Sequence, residues 1–216
     1  MDAKPLFIVG LSGNSLVCGE IALEAGYSPI YVISNKGYEK FLPKVGRDRT
    51  IADLHQFAEQ AAGMNRVDCF CAIGDLQKRS IDFTTIQDLK IPGLQFVNLL
   101  HPTATIHDSS QLGENIQVGA HAVIGVGAHV SNCTVINTGS ILEHDCQMGE
   151  FSHLAPGTTV GGETTIGRFV WIGIGSTILN RISICDNAYI GAGSNVVKNI
   201  VEPGKYFGNP ARSQPQ

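Results

Sequence analysis

The sequence predicts a small parallel α/β sheet followed by a parallel β-helix built from hexapeptide repeats, and three observations carry that reading. From residue 106 to about residue 200 the chain runs in sixteen consecutive hexapeptides without a slip in register. Their first positions, from Ile106, Leu112 and Val118 through to Ile190 and Val196, are all aliphatic or Met. The second position is Gly in eight of the sixteen, as at Gly113, Gly125, Gly161 and Gly173, and the fifth is mostly small or β-branched, as at Ser110, Ala122, Thr134 and Ser176. Residues 1 to about 100 follow a different rule, in which short apolar runs alternate with longer helical stretches.

A fixed period of six marks a solenoid. Each hexad supplies one short strand and a bend, and three hexads close a triangular coil, so residues n and n+18 stack. The aliphatic position fills the axis, the small residue takes the tight corner, and the glycine is expected to relieve the backbone at positive φ. Period six matches neither 3.6 nor 3.5, which excludes an amphipathic helix or coiled coil. The turn signals every 8–12 residues that mark a sandwich are absent.

Within residues 1–100, Leu6 to Gly10 reads as a buried strand and Gly10 to Ser15 as a Gly-rich turn. Leu16 to Gly26 reads as a helix with Leu16, Val17, Ile21 and Leu23 on its apolar side and Gly26 as its stop. Ile30 to Ser34 is a second strand. Thr50 to Gly63 is a second helix, with Thr50 as N-cap and Asp53 in its first turn. Asp68 to Gly74, Leu76 to Lys90 and Gln95 to Leu100 continue as strand, helix and strand. This alternation gives a parallel sheet with covering helices. The domain boundary is expected near residue 100, with residues 101–216 forming the β-helix and its tail and His101-Pro102 at the junction.

The bulk numbers narrow the function. The chain has 216 residues, 43% of them hydrophobic and 16% charged, which suits a buried core. A net charge of −4 gives no reason to expect nucleic acid or a membrane surface as partner. No apolar run approaches the roughly 18 residues that would span a bilayer, and the N-terminus lacks the layout of a signal peptide. The six cysteines are scattered and lack zinc spacing, as expected of reduced thiols in a cytoplasmic protein.

In a parallel sheet, ligands collect beyond the carboxyl ends of the strands. Those ends are Gly10 to Ser15, Ser34-Asn35-Lys36 and Gly74-Asp75. Gly10, Ser12, Gly13, Asn14, Ser34, Gly74 and Asp75 are therefore the substrate-binding candidates, and the turn leading into a helix N-terminus suits a phosphate. Gly10-x-x-Gly13 is not the full dinucleotide fingerprint, and no acidic residue ends the second strand. A nucleotide or nucleotide-sugar is favoured over NAD, and a purely structural turn is the remaining reading.

The chemistry is expected at residues 136–146, where His144 stands between the carboxylates of Glu143 and Asp145. As the third residue of its hexad His144 should point outward, and a carboxylate beside it would fix one tautomer and raise its basicity, as a general base requires. The bland reading is a solvated surface histidine. Taking residue number modulo 18 as azimuth, His144 and Gly162 share one direction, while Asn137, Ile174 and Ala192 fall close to His153, half a turn away. The two groups meet only if neighbouring prisms pack side by side, as in a three-fold assembly.

The repeat, the segment Asn137 to His153 and the tail Gly208-Asn209-Pro210-Ala211-Arg212 resemble the hexapeptide-repeat acyltransferases. With the Gly-turn domain included, the whole chain resembles the bacterial sugar acetyltransferases of the PglD and NeuD type. The resemblance implies a Rossmann-like N-terminal domain, a left-handed β-helix, a homotrimer and acetyl-CoA in the groove between subunits, with no metal. It implies His144 as general base with Glu143 orienting it and Asn137 assisting, and contacts to acetyl-CoA from His153, Gly162, Ile174, Ala192, Pro210 and Arg212. The acceptor it implies is the amine of a nucleotide-linked sugar in bacterial surface glycan synthesis, a sugar hydroxyl being the alternative.

Two departures fall on the acceptor side. Asn14 stands where the family's turn has His, and Ser34-Asn35-Lys36 follows the second strand where the family has Asp. Two other functions stay in view. A γ-class carbonic anhydrase needs three convergent His ligands, and none of the repeat's histidines is stacked at a spacing of 18. A non-catalytic sugar-nucleotide sensor would leave His144 merely exposed.

Overall fold

Leu6–Val9 (β1) is a run of four apolar residues, which suits a strand covered on both faces. In the computed structural model, which describes residues 4–10, 13–33, 50–51, 54–72 and 74–214, Leu6, Phe7 and Ile8 are each fully buried. The chain divides into two units, Met1–Leu100 and His101–Gln216.

In the first unit β1 lies at the middle of a five-stranded sheet with β2 (Ile30–Ile33), β3 (Thr50–Ile51), β4 (Val67–Cys71) and β5 (Leu94–Phe96). The order is β3-β2-β1-β4-β5 and every pairing is parallel, with Leu6 opposite both Ile30 and Asp68. Helix α1 (Gly13–Glu24) covers one face, where Leu6, Ile8 and Phe70 meet Cys18, Ile21 and Ala22. On the other face Phe7 packs between Tyr31 and Phe57 of α2 (Leu54–Ala61), both ring centroids 5.0 Å away. Helix α3 (Leu76–Asp88) buries Phe83 and Ile86, and Phe83 packs on Phe96 of β5 at 4.1 Å. The chain steps outward from β1 through β2 to β3, then crosses back to β4. The switch point, where such folds hold their ligands, therefore lies between β1 and β4.

Several elements differ from the sequence reading. Helix α1 begins at Gly13 rather than Leu16, because Asn14 and Ser15 enter the helix. Its buried face is Ser15, Cys18, Gly19, Ile21 and Ala22, whereas Val17 and Leu23 are exposed. Small side chains let the helix axis come close to the sheet, and here closeness decides over hydrophobicity. Thr50 and Ile51 do not cap a helix. They form an edge strand, with Thr50 opposite Val32, and the helix starts at Leu54. The last predicted strand splits into Leu94–Phe96 and Leu99–Leu100.

The second unit is the predicted solenoid. Each hexad gives a short strand, two residues long except for Ala188–Ile190, and partners lie 18 residues apart, as in Val123↔Ile141, Ile141↔Thr159 and Thr159↔Thr177. Three parallel sheets result, one per side of the prism, with the first hexad position pointing inward and Ile124, Leu142, Leu154, Val160 and Ile172 fully buried. At the fifth position, buried hydroxyls bond the carbonyl fifteen residues ahead. Ser140 donates to Ala155 at 2.9 Å, Ser152 to Gly167 at 2.8 Å and Ser176 to Gly191 at 2.9 Å. Gly204–Phe207 pairs with Ala188–Ile190, and the antiparallel strand Arg212–Ser213 closes that side.

The second-position glycines have a different cause from the one expected. Left-handed backbone falls at the fourth position, where Asn115, Asp145, Glu163 and Asn187 take it with φ between 57° and 61°. The second-position glycines are needed for close approach. A Cβ on Gly125 would lie 2.7 Å from the backbone nitrogen of His144, and one on Gly161 would lie 2.6 Å from that of Asn180. Each would strike the next coil.

Candidate active site

Strand Ile141–Leu142 ends at a prism corner, and Glu143, His144 and Asp145 make the bend toward the next side. His144 faces solvent, as its hexad position predicts, with its side chain 51% exposed. Its Nδ1 lies 2.9 Å from Asp145 Oδ2. Glu143, assigned the orienting role from the resemblance, turns its carboxylate to the backbone and accepts from His144 N–H at 3.3 Å. The orienting carboxylate in this structure is therefore Asp145. The left-handed backbone at Asp145, φ 57°, is the periodic feature of the fourth position, and here it carries the side chain that meets the ring.

The Asp145 hydrogen bond raises the basicity of His144. Burial opposes it in part, and the negative charges of Asp145, Glu143 and Glu163 add lesser pushes in the same direction as the hydrogen bond. Glu163 stands one coil beyond Asp145 and is held below the usual carboxylate range by Arg181, whose Nε and Nη2 lie 3.1 and 2.8 Å from its Oε1. An imidazole with Nδ1 tied to a carboxylate presents Nε2 outward as a proton acceptor.

His153 and Asn137 lie on a different side of the prism. His153 sits in the sheet of Val135–Ile136 and Trp171–Ile172, is 5% exposed, and packs on Trp171 with ring centroids 4.3 Å apart. Asn137 Nδ2 is 3.4 Å from His153 Nε2, while Asn137 Oδ1 accepts from Thr138 N–H at 2.8 Å. The amide thus turns its N–H toward the His153 ring. Within one chain Asn137 serves His153 and not His144. The rings continue outward from His153 through Trp171 and Tyr189 to Phe207. Ile174 and Ala192 stack on the corner after this sheet, where Gly193 N–H bonds Ile174 O at 2.8 Å. Ile174 is 62% exposed. Pro210 and Arg212 lie in the closing tail, and Ala211 N–H between them bonds Asn195 O at 2.8 Å.

At the switch point of the first unit, Gly10, Gly13 and Asn14 follow β1, and Gly74 and Asp75 follow β4. Asn14 Nδ2 donates to Ala72 O at 3.3 Å, joining the start of α1 to the end of β4. Asp75 caps α3 by accepting from Lys78 N–H at 2.8 Å. Both side chains thus have structural partners beside any contact to a ligand. Ser12 and Ser34 lie outside the described residues. Among the described residues no group of three or more His, Cys, Asp or Glu side chains is placed to hold a metal ion, and no helix is long and apolar enough to cross a membrane.

Sequence reasoning missed Asp145 as the tether, and Glu163 and Arg181 altogether. The available signal was the period itself, because residues 145, 163 and 181 are one column at spacing 18.

Fold and site together define a hexapeptide-repeat protein with an exposed, carboxylate-tethered histidine at a corner of its β-helix. The family described as bacterial transferase hexapeptide (six repeats) matches residues 163–198. A GDP-perosamine N-acetyltransferase of Escherichia coli O157:H7 is 27% identical over 80 residues, 37% of this chain and 36% of that protein. The match thus spans about a third of the length of that curated relative. The acetyltransferase domain of PglB from Neisseria gonorrhoeae, solved with acetyl coenzyme A, superposes with TM-score 0.86 at 25% identity, covering 99% of this chain and all of that one. PerB from Caulobacter crescentus, solved with CoA and GDP-perosamine, gives TM-score 0.86 at 25% identity and 99% coverage of both chains. The chain shares the architecture of these solved structures, a Rossmann-like sheet ahead of a left-handed parallel β-helix.

Proposed function

We propose that the chain is an acetyl-CoA-dependent N-acetyltransferase acting on the amine of a nucleotide-linked amino sugar, in the synthesis of a bacterial surface glycan. The observation that carries this is the His144–Asp145 pair, exposed on a corner of the β-helix with Nδ1 tied to the carboxylate. Its support comes from relatives of the same architecture solved with CoA and GDP-perosamine. Residues 1–100 bind the nucleotide-sugar, with Gly10, Gly13, Asn14, Gly74 and Asp75 at the switch point. Residues 101–216 carry the transfer. The working form is a cytoplasmic homotrimer, in which Asn137, His153, Ile174 and Ala192 of one subunit face His144 of its neighbour.

His144 takes a proton from the acceptor amine as the nitrogen attacks the thioester carbonyl. The C–S bond breaks, the acetyl group is left on nitrogen, and the proton leaves with the CoA thiol. No covalent enzyme intermediate is needed. Asp145 holds the imidazole in direction and balances its charge when protonated. Much of the acceleration comes from holding the two substrates together.

The test is a panel of UDP-, GDP-, dTDP- and CMP-linked sugars, with and without an amine, assayed with acetyl-CoA and followed by thiol release and product mass. One amino sugar is expected to gain a single acetyl group on nitrogen, with the GDP-linked compounds first in order of interest. Thiol release only with sugars that lack an amine would overturn the reading in favour of O-acetylation. Binding without turnover across the panel would leave a sensor.

A further inference from the structure

Gly162 is buried, and its backbone is not left-handed. It occupies the third hexad position, one coil beyond His144, and Arg181 N–H bonds its carbonyl at 2.9 Å. Other residues of this column, Val126, Asn180 and Lys198, carry side chains, so neither backbone conformation nor the packing of coils requires glycine here. The space that a Cβ on Gly162 would take is filled by the His144 ring. Its three nearest atoms would be Nε2, Cε1 at 2.7 Å and Cδ2 at 2.8 Å, all of one imidazole. The second-position glycines differ, because Gly125 and Gly161 would strike backbone.

We propose that Gly162 is a positioning residue for His144: its bare α-carbon is the seat on which the ring lies, and it fixes where Nε2 is presented. The ring is held at two points. Nδ1 is tied to Asp145, and the far edge rests on Gly162. A methyl group on the seat must push the edge up by about 1 Å, a displacement that can cost ~10²-fold in rate when it falls on a reacting atom. The colliding atoms are the end of a side chain, so the coil itself has room to keep its path.

This inference rests on His144 being the base, and its test separates the two. In Gly162→Ala, kcat should fall roughly 10²-fold. In a His144→Ala background the same substitution should cost nothing further, since the ring it displaces is gone. NMR titration of the His144 imidazole, which needs no substrate, should show a lower midpoint in Gly162→Ala as the ring leaves Asp145. The other charged groups facing the ring, Glu143 and Glu163 with its partner Arg181, stay unchanged. If Gly162→Ala unfolds, adding His144→Ala should restore the melting transition. Unchanged kcat, an unchanged imidazole titration, or a double variant that stays unfolded overturns the seat. Equal loss of acetyl-CoA affinity with and without the imidazole also overturns it and assigns Gly162 to the donor. If wild type acetylates no amino sugar, the proposed reaction fails while the titration still decides the seat.

Discussion

A single hydrogen bond, donated by Nδ1 to Asp145, sets the direction of His144 and is the largest cause of its raised basicity. Its effect on activity has a definite sign. A general base works in its neutral form, so with His144 in its proposed role activity is lost as pH falls through its pKa. Asp145 raises that pKa, so the loss begins at a higher pH than for an unassisted imidazole. In Asp145→Asn the acid limb of the kcat/KM profile should therefore move to lower pH. The alkaline plateau should fall by roughly 10-fold, short of the roughly 10²–10⁴-fold expected of His144→Ala. A limb that stays in place would show that Asp145 does not tune the base. The three consecutive residues Glu143, His144 and Asp145 were plain in the sequence, but which carboxylate meets the ring was not. That choice depends on Asp145 taking the left-handed corner, which turns its side chain back to the imidazole while Glu143 turns to the backbone.

At the scale of the element, the β-helix corner is stapled by hydroxyls. Ser152 donates to Gly167 O at 2.8 Å and accepts from Val170 N–H at 3.0 Å, with its side chain fully buried. Ser152→Ala strands two backbone groups in the interior, at a cost of about 1–3 kcal/mol each. A clear drop in melting temperature is expected, read by circular dichroism, with the three-sided fold retained. The fifth-position pattern announced these corners, because the same small residues recur every six. The second-position glycines were equally visible, but their cause was not. Clash with the following coil depends on how tightly coils stack, and nothing in a single hexad reports that distance. In the first unit the long strands were legible as apolar runs. Thr50-Ile51 was not, because two β-branched residues before a helical stretch read equally well as a helix entry. The buried face of α1 was hidden for a related reason. Ser15, Gly19 and Ala22 are chosen for size, and a pattern of hydrophobicity passes over them.

For the whole molecule, the separation of His144 from the Asn137–His153 pair is the informative fact. They lie on different sides of one prism, so a groove holding both needs a second chain. In the proposed trimer, His144→Ala and His153→Ala proteins, each impaired, should regain part of the activity when mixed under conditions of subunit exchange. Sedimentation velocity should show three chains. A fully active monomer would exclude the arrangement. The modulo-18 rule made the half-turn visible in the sequence, because a solenoid converts residue number directly into direction. The substrate end offered no such rule. Asn14 lies at the switch point only because the chain crosses from β3 to β4, and its bond to Ala72 O joins residues 58 apart in sequence.

The ring column that begins at His153 has an optical consequence. Trp171 is the sole tryptophan of the chain and lies against the His153 imidazole. Excitation of indole therefore lights one place in each subunit, beside the residues proposed to face the neighbouring chain. Emission from the native protein, with no label or substitution, is a local gauge of whatever approaches that side. Subunit exchange and entry of a thioester each change the surroundings of the same fluorophore.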